Sequence, residues 1–265
     1  MELEVDGKKV YASPGGREYS PDGSTALFVH GSGMDHSVWA LQARFLAHHG
    51  RAVLAVDLPG HGRSEGPPLG SMEELGAWVI SALDAAGAEK AALVGHSMGA
   101  LVTLEAAAQA PDRVSALALL GCATAIRVHP ALVEAAKAQD VLAYHLMASW
   151  GHDRRVQIGG HQTPGLWMMG GSIQLLERGV PGTLYTDFVA LNAYDGGPAA
   201  AAKVRAPTLL VMAEHDVMTR PAESRELARL IEGCRTVTIP CSGHLMLVER
   251  PDAATDALRD FLLAF

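Results

Sequence analysis

Two stretches of the chain share the spacing Gly-x-Ser-x-Gly: Gly95-His96-Ser97-Met98-Gly99 and Gly62-Arg63-Ser64-Glu65-Gly66. A serine framed in this way can act as a nucleophile if the chain turns sharply at it, because only small neighbours leave room for such a turn. The chain has 28 glycines, so the spacing alone decides nothing and the surroundings of each match must choose. Ser97 follows the apolar run AALVGH and precedes the helical run MGALVTLEAAAQA. That is strand, turn, helix. It places the serine at the carboxyl end of a buried strand, with the free N–H groups of a helix start aimed at it. Ser64 lies between DLPGHG and PPLG, with prolines where a helix would have to begin, and is expected in a structural loop.

A hydroxyl at its ordinary pKa is a poor nucleophile and needs a base, which in turn needs an orienting acid. Asp216 is offered by MAEHD at the end of a late apolar run, and His244 by CSGHLMLVERP after the next one. The order Ser97, Asp216, His244 is the one that accompanies an elbow serine. Glu214 is the rival acid, and its position two residues earlier suits it less. Charge developing on a substrate oxygen needs N–H donors. Met98 N–H is one, and the second is expected from HGSGMD, with Ser32 N–H preferred and Gly33 N–H the alternative. Gly31 and Gly33 would let the main chain approach a substrate, so Gly31 is placed in the binding site.

These side chains need a scaffold. TALFVH, AVLAVD, AALVGH, ALALLG, PTLLVMAE and RTVTIP are short, continuous apolar runs, as expected of parallel strands covered on both faces. Helical patterns separate them. One starts at Ser71, with Glu74 three residues on, and stops at Gly87, and PDAATDALRDFLLAF closes the chain. The first residues read as a hairpin turning at Asp6-Gly7. The alternation predicts a doubly wound α/β sheet. Residues 125–203 break the rhythm with helices and glycine-rich turns. The expected organisation is thus a core domain of residues 1–124 and 204–265 with a helical cap, 125–203, inserted into it. Within the cap, Trp167 and Met168 stand in GLWMMGG, and this bulky pair between glycines is expected to face an apolar pocket.

Composition narrows the function classes. The net charge is −8 and no Lys/Arg cluster occurs, which argues against nucleic acid and anionic membrane surfaces as partners. No apolar run reaches the length of a membrane span. The start lacks the features of a secretory signal, and Cys122, Cys234 and Cys241 form no CxxC pair, so a cytoplasmic location is expected. His129, His145, His152 and His161 have no ligand spacing, and no metal is expected. Acidic and basic residues balance within 125–203, so a charged substrate is not demanded.

HGSG, DLPGHGRS, GHSMG, AEHD and GHLMLVERP, in that order from residue 25 to the C-terminus, resemble the α/β-hydrolase superfamily. The chain looks most like the branch holding carboxylesterases, enol-lactone hydrolases, carbon–carbon bond hydrolases and metal-free haloperoxidases. The resemblance implies a mostly parallel eight-stranded sheet whose first strands are antiparallel, and a helical lid after the sixth strand. It makes GRSEG a structural loop beside the active-site mouth. Ala213 departs from the glycine that relatives often carry there. The activity implied is a cofactor-free serine hydrolase acting on a small, largely uncharged ester or lactone through an acyl-enzyme. Carbon–carbon hydrolysis, acyl transfer or perhydrolysis on the same triad, and a small-molecule receptor on the same fold, are the alternatives.

Overall fold

The computed structural model describes residues 1–21 and 24–264; Phe265, which the sequence reading put in the last helix, lies outside them. Eight strands form one sheet: β1 (Glu2–Val5), β2 (Lys8–Ser13), β3 (Thr25–Val29), β4 (Ala52–Val56), β5 (Ala91–His96), β6 (Val114–Leu120), β7 (Thr208–Ala213) and β8 (Arg235–Ile239). Their order is β1-β2-β4-β3-β5-β6-β7-β8. The β1/β2 and β2/β4 pairs are antiparallel and all others parallel. The hairpin turns at Asp6 and Gly7, both with positive φ, as a two-residue primed turn requires.

The parallel strands β3 to β7 are almost wholly apolar and buried because both of their faces are covered. Strand β8, at the sheet edge, keeps Arg235, Thr236 and Thr238 exposed and so departs from the run covered on both faces expected of RTVTIP. Leu27 and Val29 pack on one side with Leu54, Leu93 and Leu117. Ala26 and Phe28 pack on the other with Val53, Val94 and Val211. Helices α2 (Met72–Ala85) and α3 (Met98–Gln109) lie on the first side, and α1 (Ala40–His48) on the second. Between β6 and β7 the chain is helical: α4 (Pro130–Lys137), α5 (Leu142–Gly151), α6 (Arg154–Gln157), α7 (Met168–Glu177), α8 (Thr183–Ala193) and α9 (Gly197–Ala201). After β7 come α10 (Pro221–Leu230), α11 (Met246–Glu249) and α12 (Pro251–Leu262), the last packing beside α1. Ser71 caps α2 by accepting Glu74 N–H, but the Glu74 carboxylate reaches Gly70 N–H, so the expected reciprocal box is shifted by one residue. Among the described residues no helix is long and apolar enough to cross a membrane.

Candidate active site

Strand β5 runs into α3 through Ser97, whose φ of 56° and ψ of −121° lie outside the regions that side chains ordinarily adopt. Its neighbours make the turn possible. A Cβ on Gly95 would lie 2.2 Å from Gly99 O, and one on Gly99 would lie 2.4 Å from both Val29 O and His30 O. Neither position admits a side chain, so the backbone of α3 closes onto β3 and β5 only with glycine there. Ser97 N–H donates to Leu120 O at 2.9 Å, which ties the turn to the adjacent strand. A kink of this kind costs on the order of 1–3 kcal/mol and persists only when its surroundings over-determine it.

The kink presents the Ser97 hydroxyl to His244. His244 Nε2 lies 2.8 Å from Ser97 Oγ, and Nδ1 lies 2.8 Å from Asp216 Oδ2. The two residues come from the loops after β8 and β7, and both are buried. Asp216 is saturated with donors: Met218 N–H and Thr219 N–H on Oδ1, and Thr219 O–H together with the His244 ring on Oδ2. Burial pushes its pKa up, but His244 and the Thr219 donors outweigh that and hold the carboxyl below its usual range. The acid therefore stays charged, and His244 must present Nδ1–H to it. That leaves Nε2 free to take the hydroxyl proton. Thr219 was not anticipated. Its signal is the Asp-x-x-Thr spacing just before a Pro-initiated helix, in which a carboxylate accepts the N–H groups two and three residues on.

Other residues marked in the sequence fall as follows. Glu214 turns away and accepts Cys241 N–H. Ser64 is buried in a loop, donating to Asp57 O and accepting Tyr11 N–H. Met98 is the first residue of α3, where an N–H has no acceptor within the helix. Ser32 Oγ lies 3.5 Å from Met98 Sδ, so the loop after β3 meets the start of α3 beside Ser97. Gly31 stands behind the serine rather than on the cavity wall: a Cβ there would be 3.2 Å from Ser97 Cβ. Gly33 N–H donates to Asp187 Oδ2 at 2.8 Å.

Ser97, Ser32 and His244 open into a cavity of about 1120 Å³ roofed by the helical insertion. Its wall is mainly apolar, with Leu132, Met147, Trp150, Leu175 and Phe188 among the lining residues. Trp167 and Met168 also line it. Trp167 is 67% exposed, its ring lying over Gly170, which places it at the mouth. The metal-like cluster Asp35, His36 and Asp57 brings ligand atoms within 4.8 Å of one another, yet its carboxylates are already engaged. Asp57 accepts from His36 N–H, the His36 ring and Arg63 N–H, and Asp35 from Ser37 N–H and Arg178.

The family model for the Alpha/beta hydrolase family matches residues 26–257. The chain is 31% identical over 258 residues to the protein named Putative carbamate hydrolase RutD from Klebsiella pneumoniae subsp. pneumoniae, covering 92% of this chain and 93% of that one. It is also similar, at 42% identity over 119 residues, to the dihydrolipoyllysine-residue acetyltransferase component of the acetoin cleaving system from Pseudomonas putida. There the match covers 42% of this chain and only 32% of the longer protein. The fold superposes on the enol-lactonase from Burkholderia xenovorans with a TM-score of 0.87, at 25% identity, over 99% of this chain and all of that one. A family match running from β3 into α12, a strained serine between two obligatory glycines and a hydrogen-bonded Ser–His–Asp line agree: this chain belongs to the alpha/beta hydrolase family.

Proposed function

We propose that the protein is a serine hydrolase that cleaves an uncharged carboxylic ester or lactone through an acyl-enzyme. The observation that carries this reading is the pair of 2.8 Å contacts from His244 to Ser97 Oγ and Asp216 Oδ2, at the floor of an apolar cavity. Ser97 Oγ attacks the carbonyl carbon as His244 Nε2 takes its proton. Asp216 holds the ring tautomer and offsets the imidazolium charge. The oxyanion is received by Met98 N–H and Ser32 N–H. Gly33 N–H is already committed to Asp187, which favours Ser32 as the second donor. His244 then protonates the leaving oxygen, and water attacks the acyl group by the reverse path.

The relatives' names, a carbamate hydrolase and an enol-lactonase, share with esters a carbonyl that loses an oxygen or nitrogen leaving group. The same residues would serve any of these. Cavity size bears on which. Pockets for drug-sized ligands run from roughly 300 to 1,000 Å³, and this one, at about 1120 Å³, admits a bulkier apolar acyl or alcohol group than the small ester the sequence suggested. The test is labelling with a fluorophosphonate probe, followed by turnover of p-nitrophenyl esters of increasing length, lactones and carbamates. Rapid labelling at Ser97 with turnover of the longer apolar esters is expected. Folded protein inert to the probe would overturn the reading and favour a receptor.

A further inference from the structure

Asp187 is buried at 1% exposure on α8 of the helical insertion, yet it contacts two loops of the sheet domain. One Oδ2 accepts both Gly33 N–H at 2.8 Å and the His61 ring at 3.0 Å. These partners lie 154 and 126 residues away in sequence. We infer that Asp187 is a positioning residue through which the helical insertion sets the oxyanion loop, with His61 as its buried countercharge. The inference rests on the hydrolase reading above.

The geometry is restrictive at each step. Gly33 has a φ of +66°, and a Cβ there would lie 2.8 Å from Leu184 Cδ1 and 3.2 Å from Leu176 Cδ2, both on the insertion. The insertion therefore packs directly on the bare backbone of this loop. Met34 N–H donates to Gly31 O, so the N–H of the same peptide, on Ser32, points the opposite way, out of the turn. Ser32 N–H makes no hydrogen bond among the described residues, while Gly33 N–H is held by Asp187. The two peptides flanking Ser32 are thus pinned, one from within the loop and one from the insertion.

His61 completes the arrangement. Its Nδ1 faces Pro59 O at 3.0 Å and its Nε2 faces Asp187 at 3.0 Å, so both nitrogens face acceptors and both must carry hydrogens. Burial lowers the pKa of this ring, but the charge and hydrogen bond of Asp187 more than offset it and the net shift is upward. A paired imidazolium lets a carboxylate stay buried where an unpaired one could not.

Three variants test this. Asp187→Asn keeps an acceptor for Gly33 N–H. Asp187→Ala removes it. Asp187→Leu with His61→Phe removes the acceptor and both charges together, so no charge is stranded if the single alanine variant folds poorly. Losing one oxyanion donor outright typically lowers kcat about 10²–10³-fold. Misplacing one should lower kcat and the fluorophosphonate labelling rate about tenfold or more in the alanine and double variants, with KM little changed and Asp187→Asn recovering most of the rate. Amide exchange over residues 31–34 should quicken in the same two variants and not in Asp187→Asn. A double variant that labels at the wild-type rate, with exchange there unchanged, overturns the inference. Wild-type protein inert to ester and probe would instead sink the hydrolase reading, while faster exchange in the double variant would still reveal the clamp.

Discussion

The ring of His96, the residue just before Ser97, donates its Nε2–H to the main-chain carbonyl of His244 at 2.9 Å. The serine turn thereby holds the histidine loop by its backbone, in addition to the side-chain bond between Ser97 and His244. Burial, and then the neighbouring His244, push the His96 pKa down to about 3, so the ring is neutral and its single proton sits on Nε2. Its Nδ1 has no partner among the described residues.

Replacing His96 by Phe preserves much of the ring volume and removes the donor. A buried carbonyl left without a partner costs about 1–3 kcal/mol, and here that carbonyl belongs to the proposed base. We expect kcat to fall roughly tenfold with KM nearly unchanged, since about 1.4 kcal/mol of lost alignment is a factor of ten. A variant within twofold of wild type would show that Ser97 and Asp216 alone hold His244.

The two Gly-x-Ser-x-Gly matches should part cleanly. Ser97→Ala is expected to lose probe labelling and about 10⁴-fold or more in ester turnover. Ser64→Ala should keep both, because its hydroxyl only bridges Asp57 O and Tyr11 N–H. That variant loses one buried and one partly buried hydrogen bond and should melt a few degrees lower. An inactive but folded Ser64→Ala protein would contradict the assignment.

Glu249 gives a pH signature in stability. It is fully buried, accepting Gly243 N–H and Asp153 N–H beneath the His244 loop. Burial, with a smaller push from the Asp153 charge, raises its pKa to about 7 against the offset of those N–H groups. Between the ordinary value of 4.5 and about 7, the folded chain therefore keeps a proton that the unfolded chain releases. Stability from this group is present at pH 4.5 and below, and is lost as pH rises through 7, by roughly 3 kcal/mol. Glu249→Gln should remove this slope. Thermal midpoints of the two proteins should differ by several degrees more at pH 8 than at pH 5. A constant difference across that range would mean that Glu249 carries the same charge in both states.

Trp167 and Met168 can be tested together. Trp167 is mostly exposed yet lines the cavity mouth, so trimming both residues to Ala should barely move the melting temperature. Each buried substrate methylene is worth about 0.8 kcal/mol. If the pair receives the acyl chain, the double variant should flatten a butyl-over-acetyl preference several-fold and leave acetyl turnover alone. An unchanged chain-length profile in the stable variant would remove both residues from the substrate site.

What the sequence determined by itself is the part written between near neighbours. Continuous apolar runs specify strands covered on both faces, and the run AALVGH followed by glycine-spaced Ser97 specifies the kink. Gly99 also has to clear the β3 backbone at Val29 and His30, a tertiary demand, but Gly95 is a local requirement of the turn, since a Cβ there would meet Gly99 O. The Asp6-Gly7 hairpin and the Ser71 cap belong to the same class, with interactions that span a few residues and obey one backbone geometry. Even the order Ser97, Asp216, His244 is of this kind, because each residue follows a strand end and the parallel sheet gathers its strand ends on one edge.

Tertiary structure alone decided the partners of buried polar groups. Nothing near His96 foretells that its proton goes to the His244 carbonyl, 148 residues on, or that Asp187 joins Gly33 to His61. Glu249 reads locally as an acid of a short helix, and only packing makes it a buried support beneath the His244 loop. The reason is energetic. Once an element is packed, each buried donor or acceptor must be satisfied by whatever the fold has brought beside it, and which distant element arrives there is settled by the hydrophobic packing of whole faces rather than by the polar residue's own neighbours in the chain.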